Sequence, residues 1–275
     1  MQKPFLKWAG GKTRLAEKIA DCIPPGSRFV EPFMGSGAVF LNVTYDSYLL
    51  ADSNADLINL YQILIEEKKK FIEKCREYFK PENNQEDIFY KMRDKFNKSR
   101  DVVERSAIFV YLNRHCFNGI CRYNSSGEFN IPFGSYATVH FPYHEMVQFI
   151  ELARNATFVH LDFQDTFKLL QKGDVVYCDP PYLPISQTSN FTSYDADGFS
   201  IQEQEKLAEL AAKAPCPVLI SNHDTEEARR IYHDAQHIES LKVGRFVGGE
   251  RKPVQEVLVM YNASPSHNSV TIWDI

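Results

Sequence analysis

Four consecutive residues, Asp179-Pro180-Pro181-Tyr182, carry the most specific chemistry in this 275-residue chain. They follow Val175–Cys178, an apolar run that reads as a buried strand. Two prolines at a strand end stop the hydrogen-bond ladder and lock the backbone, so the Pro180 carbonyl points in a fixed direction. That carbonyl and the Asp179 carboxylate are both pure acceptors. A primary amine on an aromatic ring has two N–H donors to offer such a pair. Its lone pair is delocalised into the ring and is a poor nucleophile. Holding both hydrogens out of plane pushes the nitrogen toward tetrahedral geometry and localises the lone pair. Tyr182 is placed to stack on the ring face, an interaction worth ~1–3 kcal/mol for a nucleobase. The plainer alternative is a rigid Pro-Pro turn with a surface tyrosine.

A second constellation lies near the N-terminus. Val30-Glu31-Pro32-Phe33-Met34-Gly35-Ser36-Gly37 puts glycines just after a strand, where a tight turn lets the backbone approach a ligand closely. The full G-x-G-x-x-G fingerprint fails because Phe40 holds its last glycine position. Asp52, at the end of the next strand, is an acid of the kind that binds ribose hydroxyls. Together they favour a nucleoside cofactor without separating NAD from S-adenosylmethionine; a structural turn and a capping aspartate are the alternatives. Gly10-Gly11-Lys12-Thr13 resembles half of a phosphate-binding loop, but the required first glycine is Leu6 and no buried strand precedes it. An ATPase is therefore excluded, while Trp8 and Lys12 stay as pocket candidates against ordinary N-terminal packing. The six cysteines form no C-x-x-C pair, the tightest spacing being C-x4-C at Cys116 and Cys121, so free thiols are expected and no metal site.

The elements that must position these residues can be read in order. Arg28–Glu31 is a short strand ending at the glycine turn, with a helix expected from about Ala38. Tyr48–Ala51 is a second strand ending at Asp52, and Ser53-x-x-Asp56 resembles a helix capping signal. Leu57, Leu60, Tyr61, Leu64, Ile65 and Lys68 then follow a helical period, and helices are predicted over about Asn84–Asn97 and Val102–Asn113. Around 90 residues thus pass without a buried strand. Strands return at Ala156–Leu161, Asp174–Cys178, Pro217–Ser221 and Val257–Tyr261, with a helix over about Ile201–Ala214. The order describes an α/β sheet interrupted by a helical insertion. The polar tail after Tyr261 is expected to be loosely ordered.

Composition bounds the rest. Hydrophobic residues at 44% and charged residues at 24% are globular values, and no run approaches the ~20 apolar residues of a membrane helix. The start, MQKPFLKWAGGK, lacks the apolar core of a signal peptide, which leads to an expectation of a cytoplasmic protein without membrane partners. A formal net charge of −5 looks unfavourable for nucleic acid. The charge is unevenly spread, however: Lys91 to Asn124 holds eight Lys/Arg and three acids, a local +5 against −10 for the remainder. A smaller basic cluster, Lys242, Arg245, Arg251 and Lys252, lies later. Whole-chain charge therefore speaks to solubility and non-specific binding, not to substrate.

FLKWAGGK, EPFMGSGAVF, ADSNADLINLY and DPPY, in that order, resemble the DNA adenine-N6 methyltransferase (Dam) family with the α-type motif order. The likeness continues through YLNRHCFNGICRYNSSGEFNIPFGSY, YCDPPYLPISQTSNFTSY and LISNHDT, and spans about Pro4 to Tyr261. The resemblance implies a Rossmann-like, S-adenosylmethionine-dependent methyltransferase sheet, formed by residues 1–54 and 145–275, with an inserted helical target-recognition domain at 55–144. It implies that Trp8, Lys12, Glu31, Phe33, Asp52 and Asp179 line the cofactor pocket, with Asp162 and Phe163 at the cofactor's adenine. Asp179, Pro180 and Tyr182 would be the catalytic group, and S-adenosylhomocysteine the product.

In the insertion, Phe117, Asn118, Ile120, Arg122, Asn124 and Tyr136 match the family's base-contacting hairpin, and Lys7 is expected at an outer base. Arg122 suits bidentate contact with guanine O6 and N7, and Ile120 a thymine methyl. Phe117 stands where relatives often have a tyrosine wedged into the base stack, keeping the wedge without the hydroxyl. Ser135 stands where an arginine is common, which removes one positive contact. The implied substrate is duplex DNA at GATC, with adenine flipped out, direct transfer, no metal, a monomer in solution, and association with the nucleoid only through DNA. A restriction–modification enzyme with a related site, a silent DNA-binding homologue, and an RNA or small-amine methyltransferase are the alternatives; the intact DPPY and the hairpin match disfavour the last two.

Overall fold

The computed structural model describes residues 1–183, 199–247 and 250–263, and the side chains of 242–254 lie outside that description. The second basic cluster, the tail beyond 263 and most of the YLPISQTSNFTSY stretch fall outside the described residues or side chains.

Seven strands form one sheet in the order β3-β2-β1-β4-β5-β7-β6. They are β1 Arg28–Glu31, β2 Ser47–Asp52, β3 Ala156–His160, β4 Asp174–Cys178, β5 Val218–His223, β6 His237–Val247 and β7 Glu250–Tyr261. Its first five places follow the 3-2-1-4-5 order of doubly wound, Rossmann-like folds. β1 runs parallel to β2 and β4, and β4 parallel to β5; β7 is antiparallel to both β5 and β6. Strand β4 is buried at every position, as expected for a central parallel strand covered on both faces. Its first residue, Asp174, accepts two hydrogen bonds from Arg28, Nε at 2.9 Å and Nη2 at 2.6 Å, which fastens β1 to β4.

Nine helices occur among the described residues: α1 Ala16–Cys22, α2 Ala55–Glu67, α3 Lys69–Arg76, α4 Glu86–Lys98, α5 Val102–His115, α6 Tyr143–Leu152, α7 Phe163–Phe167, α8 Ile201–Lys213 and α9 Glu226–Ile231. Helix α5 is the core of the insertion. Asp101 caps it by accepting from the Val103 and Glu104 N–H groups, and the side chains from Ser106 to Asn113 are all buried. A helix apolar on nearly all sides belongs in an interior, and here α2, α3 and α4 pack against it.

The chain divides into two compact units, one of residues 1–20, 34–44 and 52–160, the other of 21–33, 45–51 and 161–275. In the first, Tyr61 of α2 stacks on Phe149 at 4.8 Å and on Phe158 at 5.4 Å, with Phe5 edge-on to both Tyr61 and Phe149. In the second, Phe29, Val30, Val175, Val176, Leu219 and Ile220 form the apolar layers of the sheet.

Several local expectations change. The helix expected from about Ala38 is only a 3-10 turn, Phe40–Asn42, after the turn that Gly37 makes at φ 72°. Helix α2 is capped by Asn54, which accepts from the Leu57 N–H, and not by Ser53. Strand β3 is buried only at Phe158. Strand β6 was missed, since HIESLKVGRFV mixes charge into its alternation at the sheet edge. None of the six cysteines, all of them described, is in a disulfide, and the described residues hold no cluster able to bind a metal. No described helix is long and apolar enough to cross a membrane.

Candidate active site and nucleic-acid interface

The glycine turn and Asp52 lie in the first unit. Asp52 Oδ2 accepts from the Gly35 N–H at 2.9 Å, and Oδ1 from the Asn54 N–H at 2.9 Å. A carboxylate has about four acceptor directions, so capacity remains for a diol. Burial pushes the Asp52 carboxyl above its ordinary range, opposed by those two N–H groups and by His160. Gly35, at φ 45°, also carries the turn against the Trp8 indole: an added Cβ would sit 2.7 Å from Trp8 Nε1. The Gly35 carbonyl accepts from the buried Tyr61 hydroxyl at 2.8 Å. Lys12 is 4% exposed, and its Nζ donates to the Gly10 carbonyl at 3.1 Å. Trp8, Gly35 and Asp52 thus form one arrangement, with a backbone surface where side chains are excluded.

The hairpin of the same unit is pinned by bridges at Cys116–Phe133 and Tyr123–Phe129. Phe117 stands 51% exposed at its base, an apolar ring with no covering layer. Asn118, at φ 54°, donates its N–H to the Tyr136 hydroxyl at 2.8 Å. Lys7 Nζ lies 3.9 Å from the centroid of the Tyr136 ring and donates to the Arg114 carbonyl at 3.2 Å. Burial and the nearby Arg114 charge lower the Lys7 pKa. Lys7, Asn118 and Tyr136 are therefore brought together from three separate stretches. Arg122 is half-buried, its Nε donating to Asn130 Oδ1 at 3.0 Å, beside half-exposed Ile120. Asn124 has a turn-building role, its Oδ1 accepting from the Ser126 and Glu128 N–H groups.

In the second unit, parallel pairing sets the ends of β1, β4 and β5 at one edge. Glu31 ends β1, 2% exposed, and the next residues bring Phe33, whose ring stacks on Phe163 at 5.5 Å with Phe199 edge-on at 5.6 Å. Asp162 is exposed and caps α7 by accepting from the Gln164 N–H at 2.8 Å. Asp179 follows β4, half-buried, and accepts from Ser221 Oγ at 3.0 Å. Pro180 is buried. The Tyr182 hydroxyl donates to Glu256 Oε2 at 3.0 Å, and the His223 ring meets the Tyr182 ring edge-on at 4.7 Å. Burial, with Asp179 and Glu256 close by, holds the Tyr182 phenol well above its usual pKa, so it stays neutral.

Buried amides frame that tyrosine. Gln204 Nε2 donates to the Pro181 carbonyl at 2.7 Å, and Asn222 Oδ1 accepts from the Leu183 N–H at 3.0 Å. The Gln204 Oε1 accepts from Tyr232 at 2.7 Å and from Asn222 at 3.1 Å, closing the network. Gln204, Ser221, Asn222 and Glu256 were not singled out from sequence. Ser221 and Asn222 lie in LISNHDT, and polar residues set within an apolar strand run are the signal the sequence carries for them.

A family model of D12 class N6 adenine-specific DNA methyltransferases matches residues 8–244. The chain belongs to that family. Similar relatives include the DNA adenine methylases of Serratia marcescens, 48% identical over 94% of this chain and 98% of the relative, and of Vibrio cholerae serotype O1, 46% identical over 94% and 96%. A solved structure described as a precorrin 8W decarboxylase from Methanobacterium thermoautotrophicum aligns over 96% of each chain with TM-score 0.41 and 11% identity. This D12-class enzyme is thus a DNA adenine methylase acting at the adenine N6, and its substrate is DNA.

Proposed function

We propose that the enzyme transfers a methyl group from S-adenosylmethionine to the N6 of an adenine flipped out of GATC in duplex DNA. The observation that carries this reading is Asp179, held at the end of a fully buried parallel strand and followed by two prolines, with an aromatic ring three residues on. Asp179 and the Pro180 carbonyl accept the two amine hydrogens, which localises the N6 lone pair for direct attack on the sulfonium methyl. The S–CH3 bond would break with S-adenosylhomocysteine leaving, and the extra N6 proton would pass to solvent, while Tyr182 lies against the base. Catalysis is mostly positioning. Flipping costs a few kcal/mol, offset by stacking and hydrogen bonds in the pocket.

The residues present fit the cofactor. Asp52 keeps acceptor capacity for ribose hydroxyls, and the Gly35 turn gives a backbone cradle that a Cβ would fill. By the family resemblance Trp8 and Lys12 of the same unit, and Glu31, Phe33, Phe163 and Asp179 of the other, are also assigned to the cofactor, with Asp162 capping the helix beside Phe163. Bound S-adenosylmethionine supplies an electrophilic methyl on sulfur. Residues 55–144 are the target-recognition domain: Arg122 reads guanine, Ile120 a thymine methyl, Phe117 wedges the stack, and Lys7, Asn118, Asn124 and Tyr136 contact the site.

Tritiated methyl transfer to duplex DNA free of adenine methylation, with and without GATC, tests the proposal. Transfer confined to GATC duplexes is expected, with Asp179→Ala inactive while still binding DNA. Equal transfer to duplexes lacking GATC would overturn the site assignment, and retained turnover in Asp179→Ala would overturn the role of Asp179.

A further inference from the structure

The sheet register places three side chains on one face. Tyr177 pairs with Leu219, and Cys178 with Ile220, so Asp179 lies level with Ser221 on the neighbouring strand. Side chains alternate along a strand, which puts Tyr177, Asp179 and Ser221 on the same side. Ser221 Oγ lies 2.9 Å from the Tyr177 hydroxyl, 3.0 Å from Asp179 Oδ1 and 3.5 Å from the Cys178 carbonyl. Tyr177 and Ser221 are both 0% exposed.

The direction of the chain follows from its chemistry. An ionised carboxylate only accepts, and a charge-assisted bond at 3.0 Å is stronger than a neutral one at 3.5 Å. The single Ser221 hydrogen therefore goes to Asp179, and the Tyr177 hydroxyl must donate to Ser221 Oγ. Burial, with the Asp179 charge close by, keeps the Tyr177 phenol protonated and able to do so.

We propose that Ser221, oriented by Tyr177, is a positioning residue for methyl transfer: it fixes the rotation of the Asp179 carboxylate so that the acceptor facing the substrate amine is held before substrate arrives. The inference rests on Asp179 being the amine acceptor. A carboxylate free to rotate about its side-chain bonds would present that acceptor only part of the time. Misplacement on this scale lowers the chemical step and leaves substrate binding intact.

The test is single-turnover and steady-state methylation of duplex DNA by Ser221→Ala, Ser221→Thr, Tyr177→Phe, the Tyr177→Phe/Ser221→Ala double variant and Asp179→Ala. Ser221→Ala is expected to lose about ten- to a hundred-fold in kcat, with KM for DNA and methyl donor within about two-fold. Ser221→Thr, which keeps the hydroxyl, recovers most of that loss. Tyr177→Phe costs less alone and adds nothing in the Ser221→Ala background, because a two-link chain is already cut.

Wild-type kcat in Ser221→Ala, or a full additive cost of Tyr177→Phe in that background, overturns the proposal. An inactive Asp179→Ala beside an active Ser221→Ala refutes only the role of Ser221, whereas an active Asp179→Ala refutes the reading beneath it. If thermal melting shows Ser221→Ala unfolded, Tyr177→Phe decides: a reduced kcat with KM unchanged supports the chain, and a wild-type kcat overturns it.

Discussion

Asn113 and Lys7 are joined by a reciprocal pair of hydrogen bonds across 106 residues of sequence: Asn113 Oδ1 accepts from the Lys7 N–H at 2.8 Å, and Nδ2 donates to the Lys7 carbonyl at 2.7 Å. The same Nδ2 donates to the Gly119 carbonyl at 3.3 Å. One amide, 1% exposed near the end of the buried helix α5, thereby sets the Lys7 segment against the Phe117–Gly119 turn. The fit is close, since a Cβ on Gly119 would fall 2.2 Å from Lys7 Cβ.

Asn113→Ala strands two carbonyls and one N–H, and an unsatisfied buried group costs about 1–3 kcal/mol. Urea unfolding should show a loss of at least that size. The ratio of kcat/KM between the intact site and a duplex altered at an outer base should fall, because Lys7 is no longer held beside Tyr136. Asn113→Asp, which keeps the acceptor and loses both donors, should reproduce most of the effect.

Cofactor affinity should weaken on acidification earlier than an ordinary aspartate implies. On the proposed assignment of Asp52 to the ribose hydroxyls, only its ionised form accepts both hydrogens, and burial raises its pKa. The donor-binding form is therefore lost as pH falls through that raised value, by up to about ten-fold in Kd per pH unit below it. Equilibrium binding of S-adenosylmethionine between pH 5 and 8 measures this; Asp52→Asn should bind more weakly and flatten the profile.

Stability should carry the signature of His115. Its ring is 1% exposed, lies 4.0 Å from the Tyr111 ring, and its Nδ1 bonds the Tyr111 carbonyl at 2.8 Å. Burial lowers its pKa from 6.5 to about 4. Above pH 6.5 both folded and unfolded forms are neutral there, and the group has no pH effect. Between 6.5 and about 4 only the unfolded chain takes the proton, so stability falls with pH by up to about 1.4 kcal/mol per unit. Stability from denaturant melts should fall more steeply with pH across that window than in His115→Gln.

Ser135, whose backbone is left-handed at φ 51°, stands where the family resemblance implies an arginine. With one fewer positive contact, methylation should depend weakly on flanking bases. Ser135→Arg should steepen the log–log salt dependence of DNA binding by roughly one unit. Rates across a set of altered flanks, with and without the substitution, check the direction.

Strand β4 and its DPPY end were legible because a fully apolar run and two prolines leave few alternatives. Helices α2, α4 and α5 of the insertion were legible from their period, whereas α3 and α6 were not expected. The Ser53 cap was misplaced because Ser, Asn and Asp compete for the same backbone N–H groups, and only the actual turn selects Asn54. Asp56, read as part of that cap, instead accepts from Arg105 at 2.6 Å and from the Tyr123 hydroxyl at 2.8 Å, tying α2 to the hairpin.

By itself the sequence determined the chemistry on offer: an acceptor pair, a ribose-type acid, a glycine turn and a basic segment within an acidic chain. Each is local, written in residue type and short spacing. Only the tertiary structure decided which polar residues hold that chemistry in place. Ser221 reaches Asp179 through strand register, and Asn113 reaches Lys7 through the packing of a buried helix. A hydrogen bond depends on distance in space, and sequence separations of 42 and 106 residues leave no trace of it in the order of the chain.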